Sequence, residues 1–168
     1  QAPPDFFDRL QTAEDHHFWF RSRTALIAWC LAHEFPTART FLELGCGTAH
    51  VSAALKRAYP DLQVTASEAF AEGLLLAESK APGVTLIQAD IRALPWEDEF
   101  DVVGAFDVLE HVADHERAVN EMYRAVKPGG GVIVTVPQHQ WLWMPIDDYS
   151  GHQRRYSRRG LVHLLHDA

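Results

Sequence analysis

A chain of 168 residues suffices for one domain with its own core, since a domain near this length buries roughly 68–70% of its unfolded surface. Its net charge is −8, and its basic residues are scattered apart from Arg154, Arg155, Arg158 and Arg159, so the electrostatic footprint of a phosphate-tracking nucleic-acid surface is lacking and no nucleic-acid partner is expected. Two cysteines, Cys30 and Cys46, form neither a CxxC pair nor a disulfide framework, so a reduced, cytoplasmic setting is expected. The acidic, proline-broken start does not read as a signal peptide, and no run approaches the ~20 apolar residues of a membrane span.

A helix is expected from about Ser22 to Phe35, where Ala25, Leu26, Trp29 and Cys30 recur at helical spacing and Pro36 follows. Five short apolar runs come next: "TFLELG" (40–45), "LQVTASE" (62–68), "VTLIQAD" (84–90), "FDVVGAF" (100–106) and "GVIVTVP" (131–137). They alternate with helical patterns, which predicts an α/β fold, a Rossmann-like open parallel sheet with crossover helices. Val51, Leu55, Ala58 and Tyr59 mark the first crossover, and Pro60 stops it. Ala118, Val119, Met122 and Val126 mark the crossover before the fifth strand, ended by Lys127, Pro128 and glycines. A last helix is expected from a Ser157 cap through Leu161, Leu164 and Leu165. Nothing marks a second domain or a repeat, so residues 1–168 read as one unit, with residues 1–36 as an N-terminal lid.

In "ELGCGTAH" (43–50), Gly45 and Gly47 remove the Cβ atoms that would block a ligand from the free N–H groups of the following helix. Glu68 ends the second strand about 20 residues later, where a carboxylate can accept both hydroxyls of a ribose. Asp90 ends the third strand, placed to accept from an exocyclic amine, with Ile91, Leu94 and Trp96 as walls for a flat base. Glu43, Glu68 and Asp90 therefore gather at the carboxyl ends of their strands, where open α/β sheets bind ligands. A nicotinamide dinucleotide is disfavoured, because His50 occupies the position where that fingerprint needs a small residue.

From about residue 20 onward, "LELGCGTAH", "ADIRALPWEDEFDVV", "DVLEHV" and "AVKPGGGVIVTVP" follow in an order that resembles the class I S-adenosylmethionine-dependent methyltransferases, in the group that includes the ubiquinone-biosynthesis O-methyltransferases. The resemblance implies S-adenosyl-L-methionine as cofactor and methyl transfer to a small-molecule acceptor. Glu43 with Gly45, Cys46 and Gly47 would serve the methionine and ribose end, Glu68 the ribose diol, Asp90 and Ile91 the adenine, and Phe106 and Asp107 the methionine moiety and the transferred methyl. "HFWFRSRTALI" resembles a lid segment, with Trp19, Phe20 and Arg21 over the cofactor and Arg21 or Arg23 near its carboxylate. "DVLEH" also resembles a stretch with which ubiquinone-pathway relatives offer Asp107, Glu110 and His111 to a divalent ion. Many methyltransferases with a similar "LEH" use no metal, and no metal ligand is assigned. A non-catalytic adenosyl-nucleoside binder is the first alternative class, and a nicotinamide-dependent oxidoreductase the second.

Methyl transfer is a direct displacement that needs chiefly alignment of acceptor, carbon and sulfur. A base is required where the attacking atom carries a proton, and His111 and His152 are the candidates. The segment "QHQWLWMPIDDYSGHQRRYS" (138–157) is the expected acceptor wall. Trp141, Trp143 and Tyr149 would meet a ring or acyl chain, while Arg154 and Arg155 would either meet an anionic group or pair with Asp147 and Asp148. Relatives usually add two more strands after the last helix. The sequence is therefore read as truncated, or else as leaving its fifth strand an exposed edge that invites a homodimer.

Overall fold

The computed structural model describes residues 10, 12–14 and 16–167. Helix α1 (Phe18–Glu34) leads into β1 (Thr40–Leu44), α2 (His50–Ala58), β2 (Gln63–Glu68), α3 (Ala71–Lys80), β3 (Thr85–Gln88) and β4 (Phe100–Phe106). A single 3₁₀ turn (Leu109–His111), α4 (His115–Ala125), β5 (Val126–Thr135), a second 3₁₀ turn (Gln140–Leu142), α5 (Pro145–Ser150) and α6 (Arg158–His166) complete the chain. The order is β3-β2-β1-β4-β5, with every pairing parallel. This is the Rossmann-like open sheet that the apolar runs predicted. The direction of winding reverses between β1 and β4, the switch point at which such sheets open a ligand crevice.

Alternation along the strands divides the core. Leu42, Leu44, Val103 and Ala105 face α4 and α6 in one cluster, while Phe41, Val64, Val102 and Phe106 face α1 and α2 through Ile27, Leu31, Val51 and Leu55 in another. Small residues, among them Ala53, Ala66 and Ala77, let α2 and α3 lie close over β2. The Ser157 cap is present, its side chain accepting from the Gly160 N–H.

Two boundaries differ from the expectations. Helix α1 starts at Phe18, capped by the His17 ring, which propensity does not anticipate. At the other end, Val126 leaves α4 to pair with Phe100, and the register then shifts before Val102 meets Gly131. Tertiary pairing outweighs the helical spacing of Val126 there, and Lys127 serves the sheet instead of the helix end.

Lys127 meets Asp101 at the amino edge of the sheet. The Asp101 carboxylate accepts from the backbone N–H groups of Arg39 (2.7 Å) and Thr40 (2.9 Å) and from Lys127 Nζ (2.9 Å), tying the entry to β1 to β4 and β5. Partial burial acts against its ionisation, but Lys127 and the two amides outweigh this and hold its pKa at about 2. A carboxylate depressed in the folded state contributes stability above its unfolded pKa of about 3.9 and loses it as the pH falls toward the folded value. Asp101→Asn should therefore lower stability by about 1–2 kcal/mol at pH 7, the figure reduced for solvent screening, and shift thermal unfolding down by roughly 2–8 °C. Calorimetric scans from pH 7 to 2.5 should show the gap narrowing below pH 4.

Candidate active site

The loops after β1, β2, β3 and β4 open onto one cavity of about 1250 Å³, roofed by the start of α1 and the helical residues before it. This exceeds the ~300–1,000 Å³ of a typical single-ligand pocket and leaves room for two molecules side by side. Glu43, Gly45, Cys46, Gly47, Glu68, Asp90, Ile91, Phe106, Asp107, His111 and His152 all contribute to its wall. Arg21 does not; it is exposed, two residues and so about half a turn away from Arg23, which lines the cavity.

Gly45 and Gly47 both adopt left-handed backbone, φ +63° and +54°. The turn brings the Gly47 N–H to 2.9 Å from Glu68 Oε2, while Glu68 Oε1 accepts from the Phe70 N–H at 3.1 Å. Two backbone donors thus aim the carboxylate across the crevice, with lone pairs left over for a ligand's hydroxyls. Glu43 lies deeper, accepting from the Ser52 N–H (2.8 Å) and from the Ser52 hydroxyl. Burial pushes its pKa up to about 7, against the pull of Ser52 and Arg23. The Cys46 thiol beside them is also pushed upward by burial, reinforced by Glu43 and Glu68. It lines the site as an inert apolar surface. Asp90 stands at the rim, gripped by Arg92 through Nε (2.9 Å to Oδ1) and a terminal nitrogen (2.6 Å to Oδ2). Hydrogen bonding to Arg92 lowers its pKa.

At the tip of β4, Asp107 takes left-handed backbone (φ +58°) and is fixed from two sides. Thr135 donates its hydroxyl to Oδ1 (3.2 Å), and Arg23 pairs with Oδ2. The Arg23 guanidinium lies over Trp19 at 4.7 Å and Phe20 at 5.3 Å, so one cation joins the roof to the strand tip. Glu14, which sequence pattern left unmarked, is buried and accepts from the Thr48 hydroxyl, fastening the roof to the glycine loop.

A second charged group fills the far end. Helix α5 ends at Gly151 (φ +73°), and the reversed chain brings His152 back onto Asp147, Nδ1 to Oδ1 at 2.7 Å. Asp147 is fully buried and bound by Arg155 through two nitrogens (2.8 and 2.7 Å) and by the Met144 N–H (2.8 Å). The Arg155 bonds hold its carboxyl well below the usual range despite burial. Arg154 donates to the carbonyls of Val112 (2.6 Å) and Ala113 (3.1 Å). Both arginines of the expected acceptor wall are therefore structural, and of the two aspartates it is Asp147 that Arg155 takes; Asp148 accepts from the Trp143 indole N–H at 3.1 Å. Trp141 and Trp143 lie off the cavity wall, to which Ile146 and Tyr149 contribute. The spacing of Asp147, His152 and Arg155 around Gly151 was the available signal for this group.

His111 packs edge-on against His152, centroids 4.7 Å apart. Burial and the His152 charge lower its pKa to about 4, so it is neutral near pH 7. Glu110 is fully buried and lines the cavity. Burial and Asp107 raise its pKa to about 8.

A methyltransferase-domain family model matches residues 42–134, more than half of the chain, and the chain belongs to that family. Trans-aconitate 2-methyltransferase of Azoarcus sp. is 31% identical over 102 residues, covering 61% of this chain and 40% of its own length. Malonyl-(acyl-carrier protein) O-methyltransferase of Enterobacter lignolyticus is 32% identical over 154 residues, 86% of this chain and 59% of its own. The S-adenosylmethionine-bound structure of the amino pentose methyltransferase CalS10 from Micromonospora echinaspora aligns with a TM-score of 0.66 at 25% identity, over 82% of this chain and 57% of its own. This chain spans about half the length of these curated relatives.

The glycine turn is open to a direct stability test. A Cβ at Gly45 would lie 2.7 Å from Val108 Cγ2, on backbone that L residues disfavour. Gly45→Ala should cost about 2–4 kcal/mol, combining left-handed strain with overpacking. Adding Val108→Ala should recover part of the loss in denaturant melts and leave the backbone share, about 1–2 kcal/mol.

Proposed function

We propose that the chain carries the cofactor site and part of the acceptor site of an S-adenosylmethionine-dependent methyltransferase that methylates a hydroxyl of a small molecule. The observation that carries this reading is Glu68, held by the Gly47 and Phe70 N–H groups at the mouth of the crevice, where a ribose diol finds two aligned acceptors. Asp90 and Ile91 then lie toward the adenine, and Phe106 and Asp107 toward the methionine moiety. Arg23, the cation on the cavity wall beside Asp107, suits the methionine carboxylate, the role first given to Arg21 or Arg23. The family match and the cofactor bound to CalS10 support the same assignment.

In the proposed step the acceptor oxygen attacks the methyl carbon as the carbon–sulfur bond breaks and its electron pair returns to sulfur, leaving S-adenosylhomocysteine. The hydroxyl proton passes to a base. His152 fits that part, because Asp147 holds its Nδ1 at 2.7 Å and leaves Nε2 on the side of Glu110, which lines the cavity. With Arg154 and Arg155 both engaged in the fold, an anionic acceptor finds no anchor in them. A neutral acceptor bounded by Ile146 and Tyr149 fits better.

Calorimetry with S-adenosylhomocysteine tests the cofactor assignment. The parent should bind one equivalent, and Glu68→Ala should bind about 10–150-fold more weakly, the equivalent of 1.5–3 kcal/mol for a charge-assisted contact. No binding by the folded parent, or equal affinity in both, would overturn the assignment. Transfer of a labelled methyl group to extract small molecules would separate an enzyme from a mere nucleoside binder.

A further inference from the structure

We propose that Glu110, His111 and His152 form a binding site for one divalent transition-metal ion of the zinc type. One ligand atom from each of these side chains lies within 4.8 Å of the others. They come from two separate segments, the 3₁₀ turn after β4 and the residue after α5's terminal Gly151, so the grouping exists only in the fold.

The strongest single sign is Glu110. Its side chain is fully buried, and neither carboxylate oxygen has a hydrogen-bond partner among the described residues. An unpaired buried carboxylate is costly, and a cation held between it and two imidazoles would offset that cost. His152 Nε2 lies 4.0 Å from Glu110 Oε1. Two ligand atoms on a tetrahedral zinc stand roughly 3.4 Å apart, so this pair needs to close by about 0.6 Å and no pair of the three by more than about 1.4 Å. The far nitrogen of His152 is already held by Asp147 at 2.7 Å, the carboxylate–histidine support that fixes a metal-binding imidazole's tautomer and orientation. His111 packs edge-on against His152 with ring centroids 4.7 Å apart, which sets the two imidazoles side by side at the cavity wall.

The donor set also selects the ion. Two imidazoles and one carboxylate suit zinc and its transition-metal neighbours, whereas magnesium and calcium take oxygen ligands. Asp107 lies outside the set, bound to Arg23 and Thr135, which distinguishes this grouping from the Asp107–Glu110–His111 set implied by resemblance. Three protein ligands on zinc leave a coordination position for water or another molecule, and all three residues line the cavity. A His152 Nε2 that ligates an ion cannot at the same time accept a proton, so ion binding and the base role proposed for His152 are alternative states of one ring; the proposal concerns ion binding and stands whether or not the methyl-transfer reading does.

The test uses the full chain stripped with chelator and dialysed. Co²⁺ is titrated with visible absorption as readout, and Zn²⁺ is then added in competition with a chromophoric chelator. One equivalent of Co²⁺ should give the intense bands of a four- or five-coordinate site, displaced by one equivalent of Zn²⁺. His152→Ala and Glu110→Gln should each weaken Zn²⁺ at least tenfold, and Asp147→Asn, which removes no ligand, about 10–100-fold. His163→Ala, on the exposed face of α6, should match the parent. Circular dichroism checks that each variant is folded; should one fail, the Co²⁺ spectrum of the parent still decides. The proposal is overturned by absence of stoichiometric binding, by the weak spectrum of a six-coordinate oxygen site, or by folded His152→Ala and Glu110→Gln binding like the parent. It is equally overturned if Asp107→Asn abolishes binding while His152→Ala keeps it.

Discussion

The Glu68 carboxylate bridges two backbone amides, one in the glycine loop after β1 and one in the turn after β2, and the shape of the crevice depends on that bridge. Left-handed backbone at Gly45 and Gly47 brings the loop's N–H within reach, and β2 ends where Glu68 can receive it. A side chain and a main chain from adjacent parallel strands are thereby locked in the geometry on which the proposed ribose site depends. The carboxylate is organised before any ligand arrives, which spares the ordering cost that weakens binding by flexible sites.

The opposite end of the cavity follows a different economy. Asp147, Arg155, His152 and Glu110 are buried or nearly so, and buried ionic groups are weak contributors to stability even when well paired. Asp147 is satisfied by Arg155, His152 and the Met144 amide; Glu110 has no such partner among the described residues. Such an arrangement is hard to explain by folding alone. A group kept short of partners inside a cavity is a reservoir of binding free energy for whatever supplies them.

Much of this organisation was legible in the chain. Short apolar runs between helical patterns marked all five strands, and the strand ends placed Glu43, Glu68 and Asp90 at one edge, because a parallel sheet leaves little freedom in where its strand ends lie. Contacts between segments distant in sequence were not legible. Nothing in the pattern near Glu14 announces Thr48, 34 residues away, and no spacing rule separates Arg23, which turns inward over Trp19, from exposed Arg21. Arg154 and Arg155 read as candidate anion anchors only until their partners are seen, since a guanidinium serving backbone carbonyls looks the same in sequence as one awaiting a ligand. The end of α4 was misplaced for a related reason: Val126 has helical spacing, but its pairing with Phe100 decides its conformation.

A crystal structure of the chain with S-adenosylhomocysteine tests the central assignment most directly. The assignment predicts adenosyl density in the crevice between the Gly45–Gly47 turn and Asp90, with both ribose hydroxyls within hydrogen-bonding distance of the Glu68 oxygens and the homocysteine sulfur directed toward Asp107 and His152. Ligand density elsewhere on the molecule, or a ribose that leaves Glu68 untouched, would contradict it.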